Sequence, residues 1–395
     1  MTVRKTLILG LVCACGCAVA GATVDEAKAA GRLWIDPVRL ASLPTSGPGW
    51  ENVLRAAQEP VGVPNLSDKE DATNVRVMAK ALVYARTGDE RYRQEVVGAC
   101  LAAIGTERGG STLSLGRELA AYVIAADLVG LPKEQKGRFD GWLREVRHRK
   151  LKGGTLISTH ERRPNNWGTN AGGSRIAVAA YLGDTQDLER AAKVFRGWLG
   201  DRSAYDGFRY GAPGWQADPK APVGINPKGS RRDGHSIDGV LPDDQRRSGP
   251  FRWPPPHENY VYGALQGALV QAVILHNAGY DVWEWSDRAL LRAFQWLHAE
   301  AGYPAQGDDG WEPWVVNFYT AVRLPTPDPA RPGKIAGWTD WIHRGGTPIG
   351  SERRLPQVVP VGRPGGGEAR LERPEARLRS MDPFPMSGSI SRTRS

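Results

Sequence analysis

An all-helical fold built from antiparallel helix pairs is what this 395-residue chain predicts. Three observations carry that expectation. Apolar residues recur every three or four positions in stretch after stretch, the spacing that lines one face of an α-helix. Turn signals rich in Gly, Pro and Asp stand between the stretches. No sustained alternation of apolar and polar residues, and no strand–helix–strand rhythm, competes with them.

Residues 1–22 read as a secretory signal. Arg4 and Lys5 precede an apolar run from Leu7 to Val19, and Ala20-Gly21-Ala22 offers a small-x-small cleavage site. The run is too short to span a bilayer and no stop-transfer pattern follows, so a secreted or periplasmic protein is expected. Cys13, Cys15 and Cys17 lie inside this segment. Val12-Cys13-Ala14-Cys15 is a poor lipoprotein-type site, which makes lipid anchoring the less favoured reading. Beyond residue 22 the sequence has Cys100 alone. A single thiol makes neither an intramolecular disulfide nor a zinc framework, and its apolar surroundings predict a buried, inert side chain.

The expected folded domain is 23–343. It opens with one short helix near Trp50 to Glu59. The helical period then takes over: Val75, Met78, Ala79 and Leu82 share one face, and Leu115, Leu119, Tyr122, Val123 and Ala126 another. Leu188, Ala191, Ala192, Phe195 and Leu199 follow, then Val261, Ala264, Leu265, Ala268 and Ala272, then Leu290, Ala293, Phe294 and Leu297. Thr87-Gly88-Asp89, Leu131-Pro132, Leu182-Gly183-Asp184 and Ala278-Gly279-Tyr280 supply the stops. Asp201 to Pro256 breaks the rhythm as a Gly-, Pro- and Arg-rich connection. Because it feeds into the next helix near Tyr260, it reads as the rim of a cleft. From Arg344 onward Gly, Pro, Arg and Ser dominate and no period survives, so 344–395 is an expected disordered tail.

The net charge of +9 needs locating before it suggests a partner. The signal segment holds two basic residues and no acid, and the tail holds ten arginines against five acids. The remainder is nearly neutral, which gives no support for a nucleic-acid partner. An acidic ligand is supported only where positive side chains cluster.

Two short runs hold the residue types that matter for chemistry. Asn165-Asn166-Trp167 opens a helix expected to run through Ala171 to Leu182. One Asn caps free backbone amides. A second Asn and a Trp exceed what a cap requires, and they suit a carboxylate and the flat face of a sugar. Downstream, Arg246 and Arg247 precede His257, Tyr260 and Tyr262. Guanidinium groups grip carboxylates in bidentate geometry, and a tyrosine near two arginines is a candidate base. Neutralising a carboxylate while taking the proton beside it is what β-elimination from a uronate requires.

The order of these runs is similar to that of the alginate lyase superfamily. The resemblance rests on Asn-Asn-Trp-Gly-Thr at 165–169, Ala-Tyr-Leu-Gly-Asp at 180–184, Gly-x-Leu-Pro with the arginine pair, Glu-Asn-Tyr at 258–260 and Ala-Gly-Tyr-Asp-Val-Trp at 278–283. It spans roughly 70–341. The resemblance implies an incomplete (α/α) toroid in a secreted polysaccharide lyase. It also implies Asn166 neutralising the C5 carboxylate with Arg246 or Arg247, and Tyr260 as proton acceptor and donor. Tyr262 is the fallback and His257 an alternative base, with Asn165, Trp167 and Arg247 binding substrate. The family's well-known members place His after the paired Asn, where this chain has Trp167. A single tyrosine then does both proton transfers, which implies syn elimination and leaves alginate and another uronate polymer both open.

No cofactor or metal is expected, since His235 and Asp238 lie in the irregular connection without i, i+4 geometry. The expected partner is an acidic polysaccharide bound by a monomer. Two other readings remain open. A glycoside hydrolase would need facing carboxylates, for which Asp243, Asp244, Glu258, Asp308 and Asp309 are the candidates. A noncatalytic sugar-binding protein would use some of the fourteen tryptophans.

Overall fold

Short glycine–aspartate turns set the helix pairing. In the computed structural model, residues 33–345 are described, all inside one unit that spans Met1–Arg353. The expected signal, and the expected tail beyond its first two residues, lie outside the described residues. After α1 (Pro37–Ser42) and α2 (Pro48–Gln58), helix α3 (Thr73–Thr87) stops at Gly88, whose φ of 76° is left-handed. Asp89 then caps α4 (Glu90–Ala103) by accepting from the Arg91 N–H. The same device recurs where α8 (Asn166–Leu182) stops at Gly183 and Asp184 caps α9 (Thr185–Trp198). Each such cap stabilises its helix by about 1 kcal/mol. Between these pairs lie α5 (Thr112–Val129), α6 (Lys133–Val146) and α7 (Leu156–Arg162).

The pairs separate into an inner and an outer layer. Helices α5, α8 and α11 (Tyr260–Asn277) are buried on nearly every side, whereas α6 and α9 bury one stripe, in α6 only Phe139, Trp142, Leu143 and Val146. A helix apolar all round belongs in the middle, and an amphipathic one outside. Inner helices α3, α5, α8 and α11 pack on one another in that order, an incomplete toroid of helix pairs as the sequence resemblance implies. Glycines allow the closest approaches. A Cβ on Gly116 of α5 would lie 2.8 Å from the Ala171 nitrogen, and one on Gly267 of α11 would lie 2.4 Å from the Asn170 nitrogen.

These contacts also fix direction. Asn74, at the start of α3, donates to the Arg117 carbonyl near the start of α5. Ser174 of α8 bonds the Gly116 carbonyl, and Asn170 donates to the Gly263 carbonyl near the start of α11. The four inner helices are therefore parallel, with their N-termini at one rim. Their partial positive charges gather there, an arrangement that favours anions.

The connection expected to form the rim, 201–256, is ordered. It carries a two-residue hairpin, β1 (Arg231–Arg232) with β2 (His235–Ser236), and the one-turn helix α10 (Pro242–Gln245). Helix α12 (Trp285–Gln295) begins with Ser286, Asp287 and Arg288 in left-handed conformation, and Arg292 donates to the Ser286 and Asp287 carbonyls. Between α13 (Glu312–Thr320) and α14 (Thr339–Ile342) the chain is irregular, and it spans the two ends of the arc. Cys100 is fully buried and free, and burial pushes its thiol up to about 12, so it is inert as expected. The described residues show no helix long and apolar enough to cross a membrane and no cluster of His, Cys, Asp and Glu able to hold a metal ion.

Candidate functional site

Three pairs of consecutive residues organise the rim. Asn165 caps α8, with its Oδ1 accepting from the Trp167 N–H, and its Nδ2 donates to Asp243 at 3.2 Å. One residue on, the Asn166 N–H donates to Asp244 Oδ1 at 3.1 Å. Arg246 donates to Asp243, with its Nε 2.9 Å from Oδ1, while the Arg247 guanidinium lies 3.7 Å over the Tyr260 ring. The first member of each pair faces an open cleft. Of the second members, Asn166 and Asp244 are buried, and Arg247 is exposed beside Tyr260 at the start of α11.

The cleft holds about 400 Å³ and is lined by Arg162, Arg163, Arg209 and Arg246 together with Asn165 and Tyr210. Asp243 is the one acid among its lining residues and is already paired with Arg246. The segment before Gly211 is tied to the far wall. Arg209 N–H donates to the Arg162 carbonyl, Tyr205 Oη to the Glu161 carbonyl, and Gly211 N–H to Asp243.

The interior side centres on Asn166. Its side chain is fully buried, and neither Oδ1 nor Nδ2 has a hydrogen-bond partner among the described residues. An unpaired buried amide costs about 1–3 kcal/mol, so the group calls for a partner, which a bound ligand or an ordered water can supply. The local space is marked by Gly263. A Cβ there would meet only an Arg117 guanidinium nitrogen at 3.9 Å and the Asn166 Cβ at 4.0 Å. Tyr260 stands one turn before Gly263 on the same face of α11 and is 38% exposed. Asp244 sits beneath. Burial pushes its carboxyl well up, and its Oδ1 accepts from the Asn166 N–H.

Of the residues expected from sequence, Asn166, Tyr260 and Arg247 are brought to one side, and Asn165 and Arg246 to the other. Three take different places. Tyr262 is 1% exposed, donates to the Tyr303 carbonyl, and has its phenol raised by burial; it is a core residue. Trp167 is half-buried, and the Arg163 guanidinium covers one face of its ring at 4.5 Å. His257 stacks on Tyr303 at 4.5 Å, with Nε2 3.2 Å from the Ala301 carbonyl. The sequence reading missed Arg117, Arg162, Arg163 and Arg209. Arg117 had a signal in the sequence: Arg117-Glu118 is a charged pair in the first half of a largely apolar helix.

Of the carboxylates considered for hydrolysis, only Asp243 lines the cleft, and Glu258 accepts from Ser248 and the Tyr260 N–H. Asp243 and Asp244 hold Arg246 and Asn166. Asp309, raised to about 6 chiefly by burial, accepts from Gln266, and Asp308 pairs with Lys334.

Comparison with curated proteins finds no match. Among solved structures, an alginate lyase from Bacteroides ovatus is similar at 14% identity, over 73% of this chain and 91% of that one, with a TM-score of 0.46. Residues 61–210, which run from the approach to α3 through the paired asparagines to Arg209 and Tyr210 of the cleft, match the model of the alginate lyase family, and it is this family that the chain resembles.

Proposed function

We propose that the protein is a polysaccharide lyase that cleaves a uronate polymer by β-elimination at the Asn166–Tyr260 side of the rim. The observation that carries the proposal is the buried Asn166 amide, without a partner among the described residues; its Cβ and an Arg117 guanidinium nitrogen both border Gly263, which lies one helical turn from Tyr260. Arg117 is 14% exposed and meets the sugar carboxylate first, and Asn166 completes the grip from beneath. With that charge neutralised, the C5 proton becomes removable. Tyr260 Oη takes it, the C4–O bond breaks as the C4–C5 double bond forms, and the departing oxygen receives a proton from the same phenol. One group doing both transfers requires the proton and the leaving oxygen on one face, hence syn elimination. Arg247 holds the ring through a cation–π contact. Secretion, as the N-terminal sequence suggests, suits a polymer too large to enter a cell.

The test is incubation with alginate, polymannuronate, polyglucuronate and hyaluronan while the ultraviolet absorbance of unsaturated uronate is followed. A rise with one polymer is expected and identifies it. New reducing ends without that absorbance would replace the lyase by a hydrolase. No product in either assay would remove catalysis and leave a binding protein.

A further inference from the structure

A glycine inside a helix destabilises it relative to alanine, so each one calls for a reason. The other glycines of the inner helices α5, α8 and α11 have a steric one. A Cβ on Gly116, Gly168, Gly172, Gly173 or Gly267 would lie 2.9 Å or less from a neighbouring atom. Gly263 has no such reason. It belongs to the first turns of α11 and is not among the glycines with positive φ. A Cβ there would meet its nearest neighbours at 3.9 Å and 4.0 Å, ordinary contact distances. Gly141, which is also open, lies on the outer helix α6. Gly263 instead borders the Arg117 guanidinium and the Asn166 side chain, whose amide has no partner among the described residues.

The space at Gly263 is held open. Asn170 Nδ2 donates to the Gly263 carbonyl at 2.9 Å and to the Asn166 carbonyl at 2.8 Å, so one amide fixes the start of α11 against the start of α8. One turn further on, the close contact of Gly267 with Thr169 and Asn170 stops the two helices from moving together. From this arrangement we infer that Gly263 is a specificity-determining residue: the side chain it lacks leaves a slot by which the carboxylate edge of a sugar ring reaches Asn166 and Arg117. The slot has a guanidinium on one side and an amide on the other, which suits a planar oxyanion and not an apolar group. A methyl at Gly263 fits the free protein without strain, yet it stands in the approach to the amide. The inference rests on the lyase proposal for the nature of the sugar.

The experiment compares Gly263→Ala and Gly263→Leu with the parent, using Gly141→Ala as the control for a filled open glycine. Melting temperature is measured together with kcat and KM on the polymer that the parent cleaves. Binding of mannuronate and glucuronate tetramers, with cellotetraose as the neutral comparison, is measured by calorimetry in the Tyr260→Phe background. Both alanine variants should melt about 1–2 °C above the parent. Gly141→Ala should keep the parental kcat/KM, whereas Gly263→Ala should lower it roughly 10–100-fold and Gly263→Leu abolish turnover. The preference for a uronate tetramer over cellotetraose should narrow in the same order. A merely structural glycine would not lose activity while the fold gains stability. Parental kcat/KM and tetramer affinity in Gly263→Ala would overturn the slot and leave the lyase proposal standing. A melting temperature below the parent's would also overturn it, since the space would then be closed. If the parent cleaves no polymer, the lyase proposal fails and tetramer binding decides the slot. Binding weakened by Gly263→Ala would keep it as a sugar-binding feature, and binding unchanged, or absent from the parent, would remove it.

Discussion

Asn166 and Tyr260 have different failure modes, and that separates their roles from packing. Asn166→Ala removes an amide that has no hydrogen-bond partner among the described residues, so it sacrifices little native bonding. Activity should nonetheless fall on the order of 10²–10⁴-fold, as it should for Tyr260→Phe, because in the proposed elimination each removes a group that acts on developing charge or a moving proton. Melting temperatures measured beside the rates check that the fold survives. Tyr262→Phe is the contrast. It deletes the bond to the Tyr303 carbonyl and should cost about 1 kcal/mol of stability with kcat preserved. If Tyr262→Phe abolished turnover and Tyr260→Phe did not, the assignment of the base would be reversed. Arg117→Ala should lower kcat/KM by at least about tenfold, since the proposed charge-assisted contact to the carboxylate would be lost.

Helix α5 carries a second consequence, for pH. Glu118 is fully buried within it, both carboxylate oxygens lack partners among the described residues, and burial above all raises its pKa to about 10. A carboxyl raised on folding contributes stability that is fully present below its unfolded value, near the ordinary 4.5. That stability is lost as pH climbs toward the folded value. From this group alone the loss is up to about 1.4 kcal/mol per pH unit across that window. Glu118→Gln removes the term. The variant's melting-temperature advantage over the parent should therefore grow between pH 5.5 and 8.5, and an advantage independent of pH would refute the assignment. Helices of this type were legible in the sequence because their apolar faces repeat at helical spacing, as in α3, α5, α9 and α11. Helix α6 was not, since its run of Lys, Glu, Gln and Arg shows only four buried positions. Within the site, the caps and the paired asparagines could be read locally. What could not be read was that Arg246 and Arg247 point to opposite sides, because that follows from Asp243 and from the docking of α11, contacts made across the fold.

Across the whole described unit, the toroid's two ends are held together by hydrogen bonds, an ion pair and ring contacts, among them Arg39 to the Ile342 carbonyl, Lys334 to Glu70 and Trp50 against Trp341. The irregular segment after α13 returns to the first helices through Asp340, Trp338 and Trp341. Asp340 accepts from Asn52 of α2 at 3.0 Å and from the Ala330 N–H at 3.1 Å, while Trp338 donates to the Val75 carbonyl and Trp341 to the Pro44 carbonyl. Asp340 is fully buried, and its carboxyl is raised mainly by burial. Asp340→Ala would leave the Ala330 donor unmet and weaken the hold of Asn52. A loss of about 1–3 kcal/mol per unsatisfied buried group is expected. The helices that build the rim pack on one another independently of this closure. The variant should therefore unfold at lower denaturant concentration yet show kcat and KM within about twofold of the parent at 25 °C. A KM increase at undiminished stability would mean instead that closure sets the spacing of the rim. Substrate grip would then depend on the ends of the arc as well as on the residues around Asn166.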